Sequence, residues 1–386
     1  MTDILGGNAP QLAREDLSSV APVNHNSKEI PVDPSRVAWR VDILLLTALF
    51  EERKVLKLQL KTLLDEALER LNALGPSSIS YKIEELPHNT VDAAHKLDRY
   101  LLIRQENGVV IGTPLTLGVA TLPQMGNVYA SLYTLHYLQH HRPRLIFLLG
   151  ICGSGDPAVA KLGDVVISTE VHWTNVHKLK PPADPALAKS QPDLAVYQVW
   201  NRAQFAPESG WLGVMEHYFE HHEEDLPSNW SHPPIAKPAQ DSKAPREYWP
   251  DATQKVAFGP LLATNHVVDH AGLRDKHKGE AKAIGIEMES AGVFAAIALH
   301  NNVSVRPKPP RAAGFVFKGV SDHCSQKGDN AWRQIAGSNA AYAALTFIFC
   351  NLAFIDHQIP AADRAVKQKR RTSSAYQQRM RNRRTK

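Results

Sequence analysis

Residues 41–52 read VDILLLTALFEE, a continuous apolar run followed by the start of a charged segment. The first seven residues have the composition of a strand buried on both faces, and residues 48–64 alternate apolar and charged side chains at helical spacing. A strand that leads directly into a helix is the repeating unit of α/β proteins. The sequence therefore predicts such a unit at the start of a folded domain.

The same alternation of strand and helix recurs along the chain. The stretches that follow one or the other pattern are residues 109–119, 126–140, 145–149, 165–169, 285–300 and 314–355. Strands that are apolar throughout are typical of a sheet with both faces covered. We predict an α/β fold with a mixed, mostly parallel central sheet flanked by helices.

Residues 178–255 differ in composition from the rest of the chain, with eleven prolines, many aromatic residues and little periodicity. Because proline interrupts helices and strands, we predict an insertion of loops and short helices there. The insertion belongs to a single domain that spans residues 37–357. Residues 1–36 and 358–386 are expected to be disordered extensions.

The formal net charge of +5 arises from the C-terminus. Residues 364–386 hold ten Lys or Arg and no acid, so the rest of the chain has 34 basic and 39 acidic residues. Such a tail can bind nucleic acid or an acidic partner, or it can be a solvated end without a partner. The sequence favours the solvated end and leaves the other interpretation open.

Composition argues against several classes of protein. The longest apolar run, residues 343–355, is too short to cross a bilayer, and the N-terminus lacks the basic start and apolar stretch of a secretion signal. Three cysteines, Cys152, Cys324 and Cys350, are too few for a disulfide framework. We therefore expect a protein without a membrane span in a reducing compartment, the cytoplasm.

Four loops at predicted strand ends carry unusual residues, and ligands of open α/β sheets bind at such ends. The loops are residues 47–52 (TALFEE), 150–155 (GICGSG), 285–290 (GIEMES) and 318–322 (KGVSD). In a strand, Glu287 and Glu289 point to the same side, and buried carboxylates need hydrogen-bond donors such as the hydroxyls of a ligand. A strand with one solvated face is the alternative interpretation.

The order and spacing of these motifs resemble the nucleoside phosphorylase/nucleosidase superfamily. The segments that carry the resemblance are VDILLLTALFEE, Gly126-Asn127 at the start of a helix, GICGS, KLGDVVIS at residues 161–168, GIEMES and KGVSD. They cover about residues 41–177 and 257–352, and the first part is similar to 5′-methylthioadenosine/S-adenosylhomocysteine nucleosidases. The resemblance implies hydrolysis of the N-glycosidic bond of a purine nucleoside or nucleotide, with adenine as the expected base.

The resemblance also implies roles for individual residues. Glu289 is expected to hold the 2′ and 3′ hydroxyls of the ribose, with Met288 packed on the sugar. Asp322, beside Ser321, is expected to protonate purine N7, which requires burial to raise its pKa. Glu52 is expected to bind and activate the attacking water. The other expected substrate contacts are Ile151, Cys152, Gly153, Val267 and Val268.

Phosphorolysis is the main alternative to hydrolysis. Phosphate requires cationic partners, whereas the first loop offers Glu51 and Glu52 with Arg53 as its only cation, and Leu148 and Leu149 precede the glycine loop. Water is therefore the favoured nucleophile. A non-catalytic nucleotide sensor is a further alternative, which the presence of all three acids argues against.

No metal or cofactor is expected. One cluster, His217, His221 and His222 with neighbouring glutamates, lacks a HExxH pattern and is better explained as a solvated, charged helix. Cys152 and Cys324 lie in site loops, but no His or Asn partner pattern supports a nucleophilic cysteine. The resemblance implies at least a homodimer, in which the partner could complete the pocket.

Overall fold

One mixed sheet organises the part of the chain that the structure, a computed structural model, describes. The described residues are 41–49, 51–54, 56–57, 79–86, 97–111, 114–180, 196–221, 255–302, 311–325 and 332–358. Their strands are β1 (Ile43–Thr47), β2 (Ile79–Glu85), β3 (Asp98–Glu106), β4 (Val109–Val110), β5 (Leu115–Thr121), β6 (Leu145–Ser154), β7 (Val165–Lys180), β8 (Val196–Phe205), β9 (Val256–Ala263), β10 (Gly285–Glu287) and β11 (Ala313–Asp322). Their helices are α1 (Asn127–His140), α2 (Ser209–His221), α3 (Ala271–Ala281), α4 (Ser290–Asn302), α5 (Arg333–Cys350) and α6 (Leu352–Gln358).

The order of strands brings four chain segments to one place. The strands follow the order β10-β9-β7-β11-β6-β1-β5-β3-β2, with β4 beside β3 and β8 beside β7. Strands β1 and β11 both run parallel to β6, so the three end at the same edge of the sheet. Strand β10 pairs with β9 and also with β6 in the antiparallel sense. The ends of β1, β6, β10 and β11 therefore converge, and the predicted α/β fold is confirmed.

Burial on both faces of the sheet explains the continuous apolar strands. In β1, Ile43 and Leu45 belong to one hydrophobic cluster, whereas Leu44 and Leu46 belong to a second cluster on the opposite face. All four side chains have at most 1% of their surface exposed. Since side chains of a strand alternate between faces, a strand covered on both sides must be apolar at every position.

The proline-rich insertion contains more regular structure than its prolines led us to expect. Strand β8 and helix α2 lie in it, in stretches that are free of proline apart from Pro207 between them. Trp211, Met215 and Phe219 recur every fourth residue of α2 and are buried in the cluster that also holds Phe315. That helical spacing in the sequence was the signal for a packed helix. Residues 181–195 and 222–254 lie outside the described part.

Several predicted elements differ in length from those in the structure. The apolar strands at residues 145–149 and 165–169 continue as β6 to Ser154 and as β7 to Lys180, and the strand at 109–119 is divided into β4 and β5. Of the helix predicted at residues 48–64, residues 48–49 form a bend and residues 51–54 and 56–57 are helical, and the rest lies outside the described residues. The extensions 1–36 and 359–386, including the basic tail, also lie outside them.

Among the described residues, no helix combines the length and apolar character needed to span a bilayer.

The contact between β11 and α5 leaves no room for a side chain at Gly319, so Gly319→Ala should destabilise the fold. A methyl group there would collide with the backbone carbonyl of Ala336. We expect a loss of about 1–3 kcal/mol in the free energy of unfolding, measured in urea. Gly279→Ala in α3 is the control, because its methyl group meets no atom within 4 Å and should stabilise the helix. Equal stability of the two variants would contradict the close packing described here.

Candidate active site

A cavity of about 340 Å³ opens where the four strands converge. Its described lining residues are Ala48, Leu49, Glu51, Glu52, Met125, Ile151, Cys152, Gly153, Thr264, His266, Val267, Val268, Ile286, Glu287, Met288, Glu289, Ser321, Asp322, Cys324 and Arg333. Five of these residues are Asp or Glu, and Arg333 is the only Lys or Arg among the described lining residues. The cavity is therefore large enough for a small organic ligand and strongly acidic.

Glu52 enters the cavity from the helical turn after β1. Its Oε2 accepts hydrogen bonds from the backbone N–H groups of Ala48 and Leu49 at 2.9 and 2.8 Å, and its Oε1 accepts one from Ile151 at 3.1 Å. Burial raises the pKa of this carboxyl to about 7, although the charge of Lys318 opposes the shift. A carboxylate with a pKa near neutrality is suited to accept a proton from a reacting group.

The two glycines of β6 make room for acidic groups rather than for a ligand. A methyl group on Gly150 would lie 2.6 Å from Oε1 of Glu52, and one on Gly153 would lie 2.8 Å from Oδ1 of Asp322 and also collide with Cys324. Glycines in such a loop can let backbone amides approach a ligand. In the structure the Ile151 amide instead donates to Glu52, so the loop holds a catalytic candidate in place.

Asp322 lies at the end of β11, at the opposite side of the cavity floor from Glu52. The Cys324 N–H donates to its Oδ1 at 3.0 Å, and the Ser321 hydroxyl lies within hydrogen-bond distance of its Oδ2 at 3.2 Å. Its side chain is only partly buried, so the burial expected for a proton donor is incomplete.

Glu289, immediately before α4, lines the same cavity. The Gly126 N–H donates to its Oε1 at 3.2 Å, and the Lys318 ammonium donates to its Oε2 at 3.1 Å. A carboxylate oxygen can accept two hydrogen bonds, and each of these two accepts one from the described residues, so each can accept another. With Met288 beside it in the cavity lining, Glu289 can accept two hydroxyl groups of a ligand.

Glu287 is held by the protein itself. It accepts hydrogen bonds from the N–H groups of Glu289 and Ser290 and from the Ser290 hydroxyl, at 3.0 to 3.1 Å and 2.5 Å, and it pairs with Lys318 at 3.3 Å. We expected donors for both glutamates to come from a ligand. For Glu287 they come from the first turn of α4, which this carboxylate caps.

The segment after β9 forms the remaining wall of the cavity. Val268 is buried, whereas Val267 is 53% exposed at the rim. Asn127, the first residue of α1, donates to the Thr264 carbonyl at 3.0 Å and accepts from the Gly292 N–H at 2.9 Å. The Asn127 side chain thus fixes this wall relative to α1 and α4, which explains why a buried amide opens α1.

The structure places all ten residues that the sequence singled out in the lining of one cavity, and their roles stay predictions. Sequence reasoning missed Lys318, although it stands in the KGVSD motif. Arg53, the cation that we weighed as a phosphate ligand, pairs with Asp98 at 2.6 Å and is not among the lining residues. The signal for Lys318 was its place in an otherwise apolar strand, where a lysine requires acidic partners.

The cysteines of the cavity are buried thiols. Burial raises the pKa of Cys152 well above its ordinary value, with a smaller contribution from Cys324, so the nucleophilic thiolate is disfavoured. Among the described residues, no three His, Cys, Asp or Glu side chains are grouped in a way that could hold a metal ion.

Two solved structures align with most of this chain. The S-adenosylhomocysteine nucleosidase of Streptococcus pyogenes aligns over 81% of this chain and 97% of its own, with a TM-score of 0.47 and 15% identity. The futalosine hydrolase of Helicobacter pylori aligns over 80% of this chain and 97% of its own, with a TM-score of 0.45 and 13% identity.

Comparisons of sequence give one curated relative and one family. A death domain-containing ATP nucleosidase of Amphimedon queenslandica is 24% identical over 230 residues, which are 58% of this chain and 36% of the relative. The chain thus spans about a third of the length of the relative that it matches. The family described as the phosphorylase superfamily matches residues 66–348, well over half of the chain. The protein therefore belongs to the phosphorylase superfamily.

Proposed function

We propose that the protein hydrolyses the N-glycosidic bond of a purine nucleoside or nucleotide, with adenine as the base. One observation carries the proposal: Glu52, Glu289 and Asp322 line a single cavity, although they come from three distant parts of the chain. Each has the chemistry that one part of such a substrate needs. The membership of the phosphorylase superfamily supports the same reaction class.

Asp322 acts on the base. Its protonated carboxyl group donates a proton to N7 of the purine, and the electron pair of the bond between C1′ and N9 then moves into the base. The leaving group departs as a neutral purine, and positive charge remains on the ribose. Ser321 and the Cys324 N–H hold the carboxyl group in the orientation that reaches N7.

Glu289 and Glu52 act on the sugar. Glu289 accepts hydrogen bonds from the 2′ and 3′ hydroxyls, and its negative charge stabilises the cationic ribose. Glu52 accepts a proton from the water that attacks C1′, so the oxygen of that water forms the new bond to carbon. Because the pKa of Glu52 is raised to about 7, its ionised form is both available and basic enough near neutral pH.

The arrangement of charges favours water over phosphate as the nucleophile. A phosphate dianion would lie against Glu52 and Glu289, and it would need cations to offset their charges. Lys318 is buried nearby, but its ammonium is committed to Glu287 and Glu289. Phosphate binding would therefore break an existing ion pair, whereas a water molecule would not.

The 5′ substituent of the substrate distinguishes nucleosides from nucleotides. The curated relative is named as an ATP nucleosidase, and we propose that nucleotides are among the substrates of this protein as well. Arg333, at the start of α5, is the cation that lines the described part of the cavity and is the side chain available for a 5′ phosphate. Adenosine, methylthioadenosine, AMP and ATP are the compounds to compare.

We also propose that a second copy of the chain covers an apolar surface beside the cavity. Val128 and Leu132 of α1 and Leu299 of α4 are 62%, 59% and 56% exposed. Met125 and Val267 are 46% and 53% exposed and also line the cavity. Exposed apolar side chains that are grouped in this way mark an interaction surface, and here it would also close the mouth of the site.

Asp322→Asn and Glu52→Gln should each lower the rate of adenine release by about 10²–10⁴-fold, because each removes a proton-transfer group. Free adenine is measured by chromatography after incubation with adenosine, methylthioadenosine, AMP or ATP in phosphate-free buffer. Glu280→Gln, an exposed glutamate of α3, is the control and should leave the rate unchanged. Release that depends on added phosphate would establish phosphorolysis instead, and calorimetric binding without turnover would establish a sensor.

Glu52→Gln should raise the melting temperature more at pH 8 than at pH 5. The pKa of Glu52 rises from 4.5 to about 7 on folding, so the native state holds this proton more tightly than the unfolded chain. Between these values the native state progressively loses up to about 3 kcal/mol of stability, which the neutral amide retains. Differential scanning fluorimetry of both proteins across this pH range checks the sign. A gain that does not change with pH would show that Glu52 titrates normally, and a gain that is larger at pH 5 would show that folding lowers its pKa.

Leu132→Glu should convert a homodimer into monomers, because it places a charge in the apolar surface proposed as the contact. Light scattering coupled to size-exclusion chromatography measures the mass. Lys276→Glu, an exposed charge change on α3, is the control and should leave the mass unchanged. A wild-type protein that is monomeric at micromolar concentration would refute the proposed contact.

A further inference from the structure

Lys318 is a fully buried cation in the middle of the core sheet. It lies on β11 with 0% of its surface exposed, between residues that are themselves buried. A buried ammonium group needs anionic partners, and Lys318 has two, Glu289 at 3.1 Å and Glu287 at 3.3 Å. The proposed reaction assigns no step to Lys318 or to Glu287, so their arrangement requires an explanation of its own.

The two glutamates around Lys318 differ in what else they contact. Glu287 is saturated by the first turn of α4 and by the Ser290 hydroxyl, so it is fixed in place. Glu289 has a single backbone partner, Gly126, apart from the contact with Lys318. The Lys318 ammonium is thus anchored on one side by the fixed carboxylate of Glu287. On the other side it contacts the carboxylate of Glu289, which lines the cavity.

We propose that Glu287 and Lys318 are positioning residues. Glu287 anchors the Lys318 ammonium, and the ammonium orients Glu289 towards the ribose and favours the ionised form of Glu52. This inference rests on the proposed function, since it concerns the same cavity. It goes beyond that function because it explains how three carboxylates can share one small, buried site. Neither Glu287 nor Lys318 needs to touch the substrate.

The titratable groups around Lys318 come from four elements besides its own strand. They are Glu52 in the turn after β1, Cys152 on β6, Glu287 at the end of β10 and Glu289 at the start of α4, with Asp322 farther along β11 itself. Burial would lower the pKa of Lys318, but Glu289, Glu287 and Glu52 together raise it, so the ammonium form persists. The same ammonium lowers the pKa of Glu52, which burial and Glu289 raise.

Substitutions at the two positions should therefore move Glu52 in opposite directions. Lys318→Met removes the charge that favours ionised Glu52, so the acidic limb of the kcat profile should shift to higher pH by about 1 unit. Glu287→Gln leaves the ammonium less neutralised, so the limb should shift to lower pH. Lys318→Arg keeps the positive charge, so the acidic limb of its kcat profile should lie at the same pH as that of the wild-type protein. A loss of activity caused only by damaged packing would not produce shifts of opposite sign.

The orientation of Glu289 has a separate readout. If Lys318 acts through Glu289 on the ribose hydroxyls, Lys318→Met should lower kcat/KM by about 10-fold or more for a ribonucleoside and much less for its 2′-deoxy analogue. Calorimetry with adenosine and 2′-deoxyadenosine in the Asp322→Asn background measures the same preference without turnover. Glu280→Gln is again the matched control and should change neither preference nor profile.

A third measurement keeps the inference independent of catalysis. The pH dependence of the melting temperature, compared with and without Glu52→Gln in each background, reports the pKa of Glu52 in a protein that need not turn over. Shifts of one sign in both backgrounds, or no shift in folded variants, would overturn the inference even if wild-type protein releases adenine. Conversely, the wild-type protein could be inactive while the two variants shift the pKa of Glu52 in opposite directions. That result would refute the proposed hydrolysis but support the electrostatic role of Lys318 and Glu287.

Discussion

The candidate site depends on the absence of side chains at Gly150 and Gly153 of β6. Strand β6 lies at the centre of the convergence, and the carboxylates of Glu52 and Asp322 approach its backbone in the spaces that a Cβ atom would fill. The two acids reach the cavity on strand ends that run parallel to each other on either side of β6. The distance between the two acids therefore depends on the spacing of three neighbouring strands, which hydrogen bonding holds nearly constant in a sheet.

Several buried acids held close together repel one another, and the fold must supply positive charge to offset this repulsion. Glu52, Glu287 and Glu289 are all less than a tenth exposed, and like charges in such surroundings would raise one another's pKa values. Lys318 and the amides of the first turn of α4 supply the compensating positive charge for the latter two. Glu52 receives three backbone N–H groups and no ion pair within 4 Å among the described residues, and burial raises its pKa to about 7. A carboxyl group with that pKa is suited to exchange protons near neutral pH.

The sequence predicts features that depend on a single segment of the chain. It does not predict features that arise only when several segments meet. The apolar strands β1, β6 and β11 follow from continuous hydrophobic runs, because burial on both faces leaves no other composition. The motif residues Glu52, Glu289 and Asp322 follow from a resemblance in spacing, and the structure places them in one cavity. Lys318 could not be recognised in this way, because its partners lie 29 and 31 residues earlier in the chain and meet it only through the pairing of β10 with β6. A helix around His217 was predicted, but its buried apolar face, Trp211, Met215 and Phe219, was missed because the surrounding prolines obscured its periodicity.

The ion pairs of Lys318 also bear on the proposal that this member of the phosphorylase superfamily uses water rather than phosphate. A phosphate nucleophile requires positive charge that is not already neutralised, and the only buried ammonium among the described residues at this site is bound by two carboxylates. Replacing those contacts with contacts to phosphate would leave Glu287 buried with one fewer counter-charge, which is costly at 5% exposure. In the proposed reaction, water needs only one acceptor, and Glu52 would provide it. On this proposal, the ion pairs of Lys318 with Glu287 and Glu289 weigh more in the choice of nucleophile than the first loop does.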